Sequence, residues 1–158
     1  MGEWWYNLNI IMSEYFKYMG NLNTKEWFVE LVFKKGFECL TAEKMAVEKI
    51  PDNKKINKLD DNFSLGYLHR VGMNIFFSNV FNDEASTIDQ EFYAFEMIRI
   101  FLKVPMKKEE ELFYKIEKLY NEKDKEFVSG QNSVSMTRHE IYDNPNNWNW
   151  YKHILGKI

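Results

Sequence analysis

The chain has 158 residues, 45% of them apolar, and a formal net charge of -3. That length suits one domain, 1–158, with a buried core. That charge argues against the basic stripe that nonspecific nucleic-acid binding needs. Aromatic residues make up 17%, so the core should be bulky, unless some rings serve as binding anchors.

Cys39 is the single cysteine. No disulfide can form within the chain, which fits a reducing compartment. Residues 1–6 contain Glu3 and no basic segment, unlike a secretory signal. The longest uncharged run, 71–82, is too short to span a bilayer. A cytoplasmic protein without membrane contact is the expectation.

Apolar spacing is mostly helical along the chain. Trp4, Leu8, Ile11, Tyr15 and Tyr18 step by three and four, predicting a first helix that stops near Gly20. Asn23 with Glu26 resembles a capping box and opens a second helix through Trp27, Phe28, Leu31 and Val32. Thr41 caps a short third helix that ends before Pro51, because the residue before proline is driven out of the helical region. Residues 51–62 are polar and charged and suit a surface loop.

Residues 63–81 fit a fourth helix, with Leu65, Leu68, Ile75 and Phe76 near one face. Gly66 and Gly72 count against it, since each costs about 1 kcal/mol relative to Ala. The branched and aromatic residues of 71–81 also suit a strand. After a turn at 82–86, Thr87–Val104 is apolar on several sides, which predicts the central helix of a bundle. Lys107–Val128 carries one stripe, Leu112, Ile116, Leu119 and Tyr120, and a favourable Glu111–Lys115 pair. It should be a single peripheral helix. A minor strand at 133–142 is conceivable from composition. Asn144–Asn147 marks a turn, and Trp148–Leu155 a last short helix. The class is therefore all-α, a bundle of about six to seven helices. The Trp4–Trp5 and Trp148–Trp150 clusters would pack together and join the chain ends, or else form an exposed platform.

Chemistry-bearing groups are sparse. His69 sits between Leu65 and Met73 and suits a partly buried helical position. His153 suits packing against neighbouring aromatics. His139 lies in Arg138-His139-Glu140, with Ser133 and Ser135 near in sequence, but adjacent residues point in different directions. No Glu precedes a His by three residues, and there is no CxxC, HExxH or EF-hand loop, so no metal and no cofactor are expected. Asp60 and Asp61 precede Phe63 and suit helix capping better than a cation.

One regional bias stands out. Residues 71–98 hold no Lys or Arg, yet contain Asp83, Glu84, Asp89, Glu91 and Glu96 among Phe76, Phe77, Phe81, Phe92, Tyr93 and Phe95. Carboxylates around an aromatic anchor suit a basic protein partner. The expectation is a non-catalytic binding module. It would be a small acidic inhibitor, of the immunity-protein or antitoxin type, that neutralises a basic toxic enzyme such as a nuclease. Its surface would comprise Asp83, Glu84, Asp89, Glu91 and Tyr93. The alternative is an enzyme whose site is assembled in the bundle from His69, His139 and core carboxylates such as Glu91 and Glu96. A third reading is a dimeric ligand-sensing domain.

Overall fold

The computed structural model describes residues 17, 21, 25–30, 45, 47–55, 57–79, 87–105, 108–134 and 149–157. These are 78% helical with no strand. In chain order the helices are α1 Glu26–Glu30, α2 Asn62–Asn79, α3 Thr87–Leu102, α4 Glu109–Asn121, α5 Lys125–Asn132 and α6 Asn149–Ile154, with a single helical turn at Asp52–Lys55. The all-α class is as the periodicity predicts, and 62–79 is helix rather than strand. The expected helix at 4–18, Trp4 and Trp5, and most of the conceivable strand at 133–142 lie outside the described residues.

A carboxylate starts α2. Asp61 Oδ1 accepts from the Ser64 backbone N–H at 2.9 Å, satisfying one of the donors that a helix start leaves open. The helix then buries Leu65, Tyr67, Leu68, Val71, Ile75 and Phe76. It packs against both α3 and α5, and so is the central one among the described helices. This corrects the expectation that 87–104 is central. That helix, α3, buries Tyr93, Ala94, Phe95, Met97 and Ile98, but Phe92, Ile100, Phe101 and Leu102 are only partly covered.

The reason lies in residues that are small rather than apolar. A Cβ added to Gly66 would stand 2.0 Å from the Phe127 carbonyl oxygen, and one added to Gly130 would stand 1.9 Å from that of Phe63. Each glycine thus lets the other helix's backbone approach. Gly72 does the same for α3, where an added Cβ would meet Ala94 Cα at 2.8 Å. The glycines that weaken α2 by propensity are what let two neighbours lie against it.

The expected single helix over 107–128 is two. Lys123 has φ 53, a left-handed conformation that no helix continues through. Asp124 then caps α5, its Oδ1 accepting from Phe127 N–H at 3.1 Å. Asn62 Nδ2 also reaches Asp124 Oδ1, at 3.4 Å, tying this turn to the start of α2.

Helix α6 closes on the same region. Trp150 is 0% exposed. Its ring stacks on Tyr67 (5.9 Å between centroids) and meets Phe101 edge-on (5.1 Å). Its Nε1–H donates to Ser64 Oγ at 2.8 Å, and Ser64 in turn donates to the Lys58 carbonyl. The buried indole is thus satisfied. His153 stacks on Phe63 at 4.1 Å, as its aromatic surroundings predict, and its Nε2 lies 2.6 Å from Asp61 Oδ2. On the other side, Phe113 of α4 packs on Phe92 and Phe95 of α3.

These contacts reverse a propensity rule. Ala should stabilise an exposed helix interior by about 1 kcal/mol over Gly. Gly130→Ala should instead destabilise by about 1–3 kcal/mol or more, because the methyl meets backbone that cannot rotate away. Chemical denaturation measures it, and a Gly130→Ala variant as stable as the native chain would contradict the crossing.

Candidate functional site

The residues expected to form an acidic partner surface do not share one environment. Asp83 and Glu84 lie outside the described residues. Asp89 belongs to the first turn of α3. Glu91 is half-buried and lines a small cavity. Tyr93 is 0% exposed, packed against Phe28 (6.2 Å) and Phe76 (5.8 Å). It is a core residue in this structure, not an exposed anchor. Among the described residues the most exposed ring is Phe77, at 66%, close to the C-terminal end of α2.

Inside the bundle, His69 is 3% exposed. It lies against Tyr120 (5.2 Å) and Phe127 (5.5 Å). Gln131 Nε2 donates to its Nδ1 at 3.2 Å, which leaves the ring hydrogen on Nε2. Burial, aided by the positive charge of Arg70, lowers the His69 pKa to about 4, so the ring is neutral near neutral pH.

His69 shares a cavity of about 10 Å³ with Glu91 of α3 and Glu117 of α4, among Phe95, Phe113, Ile116 and Tyr120. That is about the room of one water. Burial raises the Glu91 pKa, with help from the Glu117 charge. Burial also raises that of Glu117, against the opposing effect of the Asn121 amide. A histidine and two carboxylates do converge here, as the enzyme reading requires, around room for about one water. His139 lies outside the described residues. Glu96 is buried and committed to Arg99, whose Nε lies 3.1 Å from each carboxylate oxygen. Arg99 Nε also stands 3.6 Å from Glu109 Oε1, linking α3 to the first turn of α4. Among the described residues no group of His, Cys, Asp and Glu is placed to hold a metal ion, and no helix is long and apolar enough to cross a membrane.

Sequence reasoning missed a second concavity. It lies where α2, the end of α4 and α5 meet, and measures about 480 Å³. Arg70 and Lys123 line it. Its components are separated in sequence, and only the α2–α5 crossing brings them together.

Comparison of the chain with protein-family models, with curated proteins and with solved structures finds no match in any of the three.

His69 gives a pH signature. Its folded-state pKa lies below the ordinary 6.5, so its contribution to stability is present above 6.5 and is lost as pH falls toward about 4. Glu91 and Glu117 act oppositely. Their raised pKa values favour folding below 4.5 and less so as pH rises above it. The stability difference between the native chain and His69→Gln should therefore shrink as pH falls from 6.5 toward 4. Urea denaturation across that range checks it, and a difference independent of pH would contradict a buried neutral imidazole.

Proposed function

We propose that the protein is a non-catalytic binding module that docks on a basic protein, with Phe77 in the anchor role first given to Tyr93. The observation that carries the reading is the exposure of the Phe77 ring, 66%, at the end of a helix that leads directly into the acidic segment. Large exposed rings beside like-signed charge suit recognition. The last turn of α2 has no basic residue. Its C-terminal end carries the partial negative charge of the helix dipole, and Asp83 and Glu84 follow in sequence. Asp89 lies in the first turn of α3. Glu91, half-buried at the small cavity, is a weaker member of this surface.

Enzymes that grip nucleic acid are basic and have the complementary chemistry. An inhibitor of the immunity-protein or antitoxin type would gain association rate from the carboxylates and residence time from the ring. On this reading the His69 cluster is structural, and Phe77 is dispensable to folding.

The protein should capture a basic protein from a lysate of its source. Phe77→Ala should weaken that complex by roughly thirtyfold, the scale of an anchor worth about 2 kcal/mol, mainly by faster dissociation. Reversing Asp83 and Glu84 to Lys should slow association and flatten its salt dependence. Surface-immobilised kinetics at two salt concentrations would record both. Rates unchanged by either substitution would remove the reading.

A further inference from the structure

The groove between α2, α4 and α5 combines two kinds of surface. Met73 of α2, Val128 of α5 and the Tyr120 ring of α4 supply apolar area. Arg70, Lys123 and Gln131 supply hydrogen-bond donors. No carboxylate among the described residues lines it. Neither Arg70 nor Lys123 takes part in the ion pairs found among the described residues.

Arg70 is the telling group. Its Nε is buried and has no hydrogen-bond partner. Folded proteins rarely leave a buried donor unsatisfied, and a charged one least of all. Its charge also reaches His69 and helps to keep that ring neutral. Lys123 adds a second positive charge from the α4–α5 turn. Its left-handed backbone, φ 53, would suit glycine better, yet the chain places a lysine there. Gln131 holds His69 with its amide while bordering the groove.

We propose that this groove binds a small molecule in which a phosphate or carboxylate is joined to a flat apolar body. The guanidinium of Arg70 offers a planar fork that matches either oxyanion. Lys123 adds a point charge, which favours a dianionic phosphate over a carboxylate. The Tyr120 ring, 39% exposed, gives the apolar body a face to stack on. The volume, about 480 Å³, lies within the range of small-molecule sites. None of the residues that line it belongs to the acidic surface.

The test titrates the full chain with phenyl phosphate, phenylacetate, inorganic phosphate and phenol, read by calorimetry and by amide chemical shifts. Phenyl phosphate should bind in the millimolar range or tighter, with shifts centred on Arg70, Tyr120 and Gln131. Phenylacetate should bind more weakly, and inorganic phosphate and phenol more weakly still. Arg70→Gln should weaken phenyl phosphate roughly tenfold or more, the scale of a lost charge-assisted hydrogen bond. Lys123→Gly should also weaken it, and cannot act by unfolding, because glycine relieves the left-handed backbone. No binding of phenyl phosphate, equal binding of phenol, shifts centred elsewhere, or affinity unchanged in Lys123→Gly would each overturn the proposal.

Discussion

The close approach of α2 to α5 fixes where the other groups stand. With Gly66 under the Phe127 carbonyl and Gly130 under that of Phe63, the two backbones touch with no side chain between them. Phe127, 0% exposed, then lies against His69, and Gln131 comes within hydrogen-bond reach of the same ring. Asp124 reaches Asn62. Arg70 faces the same groove as Lys123. A wider separation of these helices would dissolve the imidazole's environment and the cationic groove together. The N-terminal end of α2 is held in turn by α6, through Trp150 on Ser64 and His153 on Asp61.

Much of the helical order was legible in the sequence. The periodicity of 63–81 and 87–104 placed α2 and α3 within two residues at each end, and Asp61 caps as its position before Phe63 suggested. What misled was the use of apolar content to choose the centre. Helix α3 is the more apolar of the two by its side chains, yet α2 is central because close packing needs absent side chains at Gly66, Gly72 and Gly130. Counted singly, each glycine is a cost; only the partner helix reveals the gain. The break at Lys123 was hidden for another reason. Ile116, Leu119 and Phe127 fall on one continuous stripe, and neither Gly nor Pro interrupts them. A signal was present nonetheless. Lys123 occupies the stripe position between Leu119 and Phe127, and Asp124 follows it with the geometry of a cap.

Tyr93 carries a related lesson. A segment can be acidic and aromatic by composition while its helix sends those residues to different faces. Tyr93 lies one turn before Met97, and both are buried; Glu91 lies two positions earlier and lines a cavity. Phe77 follows directly on the buried Ile75 and Phe76, yet its ring is 66% exposed. The formal charge of -3 hides both the acidic run that follows α2 in sequence and the Arg70–Lys123 pair at the groove.

The central claim is that α2, held on two sides by backbone contacts, is the structural core of the bundle. Native-state hydrogen exchange tests it most directly, since the slowest amides report the last structure to open. The amides of Tyr67, Leu68, His69 and Val71 should be the slowest measured and should exchange only through global unfolding. If those of Tyr93, Phe95 and Ile98 in α3 outlasted them, the apolar helix would be the core after all, and the glycine contacts would be incidental.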